Sequence, residues 1–135
     1  MRIKKLDAGD IFTIPLFLPA FQEWRALEDL VDYKRYQFPQ DDRYAFGRLI
    51  EKQGHGANLI EIFSYVGEIP QGSEAIIDSG RLLEPVMAMN QKGRWRFLFD
   101  NPCYDKWTDS DYGSITFLLH NELWKGGEQI RVTRE

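Results

Sequence analysis

The sequence predicts a mainly β domain of the α+β kind, a strongly bent antiparallel sheet or partial barrel carrying one medium helix and one short helix. Three observations carry that expectation. Apolar and polar residues alternate with a period of two in several short runs, each bounded by turn residues. Aromatic residues reach 14% of the chain, with nine Phe, six Tyr and four Trp, and flat rings pack well on a pleated surface. Helical spacing is confined to one medium stretch and one short one. The length of 135 residues fits a single domain spanning 1–135, and 43% hydrophobic residues supply a packed core and argue against disorder.

Ile11 to Leu16 is the first expected strand, with Phe12, Ile14 and Leu16 opposite Ile11, Thr13 and Pro15. Pro15 has no amide to donate, so that end is an edge or the strand's exit. From Pro19 to about Tyr36, Phe21, Trp24, Leu27, Leu30 and Val31 recur at helical spacing, and Pro19 suits a helix start. The charges of this helix, from Glu23 to Arg35, fill a solvated face. Tyr44 to Glu51 is the next strand, with Tyr44, Phe46, Arg48 and Ile50 on one side and Ala45, Gly47 and Leu49 on the other. Gly47 inside it marks a bulge or a close approach. Gln53 to Ala57 is a turn, and the strand from Asn58 to Val66 completes a hairpin.

Ser73 to Ser79 reads as the short helix, with Ser73 as N-cap and Gly80 as the stop. Leu82 to Met89 is an expected strand limited by Pro85, and Asn90 to Gly93 is a turn. Arg94 to Phe99 alternates, with Trp95, Phe97 and Phe99 on the core side and Arg94 and Arg96 solvated. Ile115 to Leu119 is a further strand. Leu123–Lys125 and Gln129–Thr133 flank Gly126-Gly127 as a last hairpin. Phe46, Phe63, Trp95, Phe97 and Phe117 are the expected core.

The charge balance narrows the function. Seventeen Lys and Arg against 21 Asp and Glu give a net charge of −4, and no dense basic run offers itself to a phosphate backbone. The one cysteine, Cys103, excludes an intramolecular disulfide and suits a reducing cytoplasm. Arg2, Lys4 and Lys5 ahead of Ile11–Phe21 outline a signal peptide, but Asp7, Gly9 and Asp10 intervene and Thr13, Pro15 and Pro19 interrupt the apolar run. No stretch has the length of a membrane helix. His55 and His120 lack partners at metal-ligand spacing, and no P-loop, nucleophile elbow or dinucleotide fingerprint occurs. No cofactor is expected.

One segment combines charge and rings. Asp100, Asp105, Asp109 and Asp111 stand against a single Lys106, with Tyr104, Trp107 and Tyr112 among them. Acids steer a basic partner and raise its association rate, and Trp and Tyr are favoured anchors of protein interfaces. These seven residues are the candidate partner-binding site. A plain solvated loop whose aromatics tuck into the core is the competing reading. Paired carboxylates between Asp100 and Asp111 also leave acid–base catalysis open.

The order of elements resembles the immunity protein 26 family of bacterial toxin-neutralising proteins. The pieces are Ile3-Lys4-Lys5-Leu6, Gly9 to Leu16, Tyr44 to Ile50, Leu59 to Tyr65, Arg81 to Val86, Gly93 to Arg96, and Trp124 to Gly127. The connection 17–43 is longer than this resemblance implies, so its helix is an insertion. The resemblance implies a cytoplasmic, non-enzymatic protein whose partner is a cognate toxin domain rather than nucleic acid or membrane. A small-ligand- or nucleic-acid-binding barrel-like domain and a minor enzyme using Asp100–Asp111 are the alternatives.

Overall fold

The computed structural model describes residues 2–16, 38–39, 42–54, 56–89, 94–119 and 122–130. The described strands are β1 (Ile11–Pro15), β2 (Tyr44–Lys52), β3 (Ala57–Ile62), β4 (Val86–Met89), β5 (Arg96–Phe99), β6 (Thr116–Leu119), β7 (Glu122–Lys125) and β8 (Glu128–Ile130). Two one-turn helices join them, α1 (Glu74–Ile77) and α2 (Lys106–Asp109), and a 3-10 turn covers Tyr112–Ser114. The strands form two antiparallel sheets, one in the order β4-β3-β2-β1-β5 and one in the order β6-β7-β8. Neither sheet closes into a barrel among the described residues. Strand β6 lies against the β4 edge, which brings the small sheet to the large one. The medium helix, the turn 90–93, both histidines and the end of the last strand lie outside the described residues.

Strand β2 is central and both its faces are buried. Tyr44 and Phe46 pack with Ile11, Phe38, Phe63 and Ile76. Leu49 packs on the opposite face with Phe12 and Ile60. Ile50 joins Leu59, Tyr112, Ile115 and Phe117 in the layer between the sheets. Gly47 is a close approach, as the alternation implied: a Cβ there would sit 2.6 Å from Cζ of Phe12, its cross-strand partner. Burying each of these Phe and Leu side chains contributes roughly 1.5–3 kcal/mol. The β7–β8 hairpin turns on Gly126 and Gly127 at φ 59° and 82°, the double left-handed geometry of a two-residue turn.

Several boundaries move for identifiable reasons. Strand β1 ends at Pro15, and β5 pairs only with Ile11 to Thr13, so the proline sits where no donor is needed on that side. Strand β3 stops at Ile62, because Phe63 pairs with Arg81 as a lone bridge and the chain then turns. Strand β4 begins after Pro85 rather than at Leu82. Ile115 is buried but precedes β6, its N–H bonded to Tyr112 in the 3-10 turn. Ser73 precedes α1 without making a side-chain cap; Gly80, at φ 78°, does mark its end.

Strand β5 brings the main correction. Arg96 is buried at 6% exposure, with its guanidinium 3.5 Å from the ring centre of Phe38. Trp95 precedes the strand and is only half-buried, stacked 4.7 Å from Phe12. Phe97 pairs with Phe12 and Arg96 with Thr13 in unbroken register, so Arg96 does face away from Phe97. It is buried because that second face of the sheet is covered as well, by Phe38 and the core around it. Phe46, Phe63, Phe97 and Phe117 are buried as expected. With Arg96 inside, Arg94–Phe97 does not present a basic stacking platform for nucleic-acid bases.

Candidate functional site

The acidic and aromatic segment after β5 is built on a buried ionic cluster. Arg48 of β2 and Glu61 of β3 are cross-strand partners, each with a side chain only 3% exposed. Arg48 Nε donates to Glu61 Oε2 at 3.3 Å. Arg81 Nε donates to the other carboxylate oxygen at 3.2 Å. A buried charge persists only when paired and hydrogen-bonded, and here one carboxylate lies between two guanidinium groups.

These groups grip the segment from below. Arg48 Nη2 donates to the Asp109 carbonyl at 2.8 Å and to Ser110 Oγ at 3.2 Å. Arg81 donates to the Ser110 carbonyl, and Ser110 Oγ to Glu61. The Tyr104 hydroxyl shares a 2.6 Å hydrogen bond with Ser110 Oγ, and its ring lies 5.1 Å from the Arg48 guanidinium. The ring also covers Gly9, where a Cβ would come within 2.5 Å of Tyr104 Cβ. Burial pushes the Tyr104 phenol above its ordinary value. Directly after the gripped carbonyls, Asp111 takes a left-handed conformation at φ 49°, which a non-glycine residue holds only when its surroundings impose it.

The short helix α2 stands on this base. Asp105 is its N-cap and accepts from Trp107 N at 3.0 Å, satisfying an amide that the helix start leaves free. Asp109 Oδ2 reaches back to accept from Asp105 N at 2.9 Å. Of the four carboxylates that left acid–base catalysis open, Asp105 and Asp109 are thus both engaged by backbone amides. Lys106 turns inward, 2.5 Å from Glu51 Oε2 and 4.1 Å from the Tyr112 ring centre. Trp107 turns outward and is 55% exposed, edge-on to Tyr112 at 4.9 Å and 78°. It walls a hollow of about 450 Å³ whose other side is the β7–β8 hairpin, from Lys125 to Ile130.

The seven candidate residues therefore divide. Asp105, Trp107, Asp109 and Asp111 are each exposed. Tyr112 is buried at 2%, and burial and the neighbouring Glu51 raise its phenol pKa; it is the floor beneath Trp107. Tyr104 is half-buried and holds the segment down. Asp100 is exposed at the end of β5, and its charge acts on buried Asp10. Cys103 is an exposed loop residue. Four residues of the arrangement were not singled out from the sequence: Arg48, Glu61, Arg81 and Ser110. The usable signal was a charge on an otherwise apolar strand face, Arg48 beside Phe46 and Ile50, and Glu61 within Leu59–Phe63.

The comparisons with known proteins bear on what this surface meets. No curated protein and no solved structure matches the chain. The model described as immunity protein 26 matches residues 7–125, which takes in β1 through β7, the ionic cluster and α2. Such a family supports an immunity role, with a protein toxin as the general kind of partner. On this match the chain belongs to the immunity protein 26 family.

Proposed function

We propose that the protein neutralises a cognate toxin domain by binding it directly in the cytoplasm, without chemistry of its own, and that the surface of Asp105, Trp107, Asp109 and Asp111 is the contact face. The observation that carries the proposal is Trp107, a large ring 55% exposed on a helix whose base is fixed by buried charge. Exposed aromatic anchors ringed by polar groups are the usual centres of protein interfaces, and a pre-ordered surface loses less entropy on binding. The acids around it favour a basic toxin surface and a salt-sensitive association rate. A net charge of −4 fits that partner better than nucleic acid. No helix among the described residues is long and apolar enough to cross a membrane.

The test is a toxin-inhibition titration. The purified protein is added in steps to the toxin domain encoded beside its gene, with residual toxin activity and complex formation followed together. Direct neutralisation predicts that inhibition saturates at one protein per toxin and tracks the complex. Protection at far below one equivalent would mean turnover, and the enzyme reading would replace this one. No complex with any neighbouring toxin domain would remove the binding reading.

A further inference from the structure

The small sheet ends in an open edge. Strand β8 is last in the order β6-β7-β8, so one side of it faces no strand among the described residues. The turn at Gly126 and Gly127 decides which backbone groups lie on that side. In a two-residue turn of this geometry the flanking residues, here Lys125 and Glu128, form a hydrogen-bonded pair. The next pair, Trp124 and Gln129, is then a non-hydrogen-bonded one. The Gln129 N–H and C=O therefore point away from β7, to the open edge. They have no hydrogen-bond partner among the described residues.

The hollow walled by Trp107 lies against this edge. Glu128 and Ile130 point to one face of the sheet and Gln129 to the other, yet all three line the same space of about 450 Å³. With the β7 side already paired, the open edge is where that space adjoins both faces. Gly113 and Gly126 also line it, and without side chains they let a backbone come close. The exposed Trp107 ring stands across from the strand. An N–H and a C=O side by side on a strand edge match the backbone of another extended chain.

Resting on the Trp107 contact face proposed above, we infer that the toxin domain adds an extended segment to the open edge of β8. The segment pairs with the N–H and C=O of Gln129 and carries a basic side chain to Trp107. The charge of that side chain follows from the exposed acids Asp105, Asp109, Asp111 and Glu128. Lys125 is exposed on the hollow, while Lys106 is already held by Glu51. A cation also stacks favourably on an indole face.

The experiment follows amide hydrogen exchange in the full chain, free and in complex with the toxin domain encoded beside its gene. The expected result is that the Gln129 amide exchanges readily in the free chain and roughly ten times more slowly in the complex. Gln129→Pro removes that donor where an edge strand tolerates proline, and should weaken the complex roughly tenfold. If this variant loses its dispersed spectrum, exchange in the native chain decides alone. A complex in which Gln129 exchanges as in the free chain would overturn strand addition and leave the Trp107 contact face standing. So would a folded Gln129→Pro variant that binds as tightly as the native chain. No complex at all would remove both readings together. Exchange at Gln129 that slows in the free chain as its concentration rises would give the edge to a second copy and overturn the toxin segment.

Discussion

The underside and the outer surface of α2 carry similar residue types in opposite settings. Below it, Arg48, Glu61, Ser110 and the Tyr112 ring are 2% exposed, and their polar groups bind one another or the backbone. Above it, Asp105, Asp109, Asp111 and Trp107 are exposed, and the carboxylates of Asp105 and Asp109 only cap the helix. The difference teaches that a charged segment can be divided by depth. Buried charges set the backbone's position, and exposed ones remain for a partner.

The largest effect expected from breaking that contrast is on the buried side. Glu61→Ala leaves Arg48 as an unpaired buried cation and should cost about 3–5 kcal/mol, read from urea unfolding. Replacing both partners, Arg48→Met with Glu61→Leu, should cost less than the single change, because no charge is stranded. A single-mutant cost below about 1 kcal/mol would show that the cluster does not hold the segment. On the exposed side, Trp107→Ala should lower stability by less than about 1 kcal/mol, since over half of the side chain is already in water.

Alkaline pH sharpens the same contrast. Tyr104 and Tyr112 are both held above the ordinary phenol value of 10.0. As pH rises past that value the unfolded chain loses its phenolic protons first, so it binds fewer protons than the folded state and stability falls. Urea midpoints should decline above pH ~10, and Tyr104→Phe with Tyr112→Phe should flatten the decline. The smallest expected effect lies in the layer under the small sheet. Trp124 Nε1 is buried without a hydrogen-bond partner among the described residues. Trp124→Phe removes that unsatisfied donor along with part of the ring, so thermal melting should move little, by about 1 kcal/mol or less.

The sheet-forming runs were legible because alternation is a local property. The strand read as Tyr44 to Glu51 and its hairpin partner followed from period-two spacing and the glycines between them, and β2 runs one residue further, to Lys52. Gly47 announced the close passage of Phe12. What alternation could not give was the fate of charged residues on strands. Arg96 read as solvated, yet it is buried against Phe38, because the face it alternates onto is covered by a residue remote in the chain, which alternation within the strand does not reveal. Arg48 was placed on the correct face, but its role depends on Glu61, Arg81 and Ser110, which come together only in the folded sheet. The Asp100–Tyr112 segment was legible in composition alone. Its split into Trp107 outward and Tyr112 inward comes from the 3-10 turn at Tyr112–Ser114, which tertiary packing sets.

The most direct test of the account compares toxin affinity with stability in one variant. Trp107→Ala combined with Asp109→Asn removes the ring and one charge from the outer surface, and asparagine keeps an oxygen to accept from Asp105 N. Calorimetric titration with the cognate toxin domain, beside thermal melting, separates the two roles of the segment. The account predicts that affinity falls by roughly 2 kcal/mol or more while the melting temperature stays close to that of the native chain. Unchanged affinity in a folded variant would contradict it and would move the interface off α2.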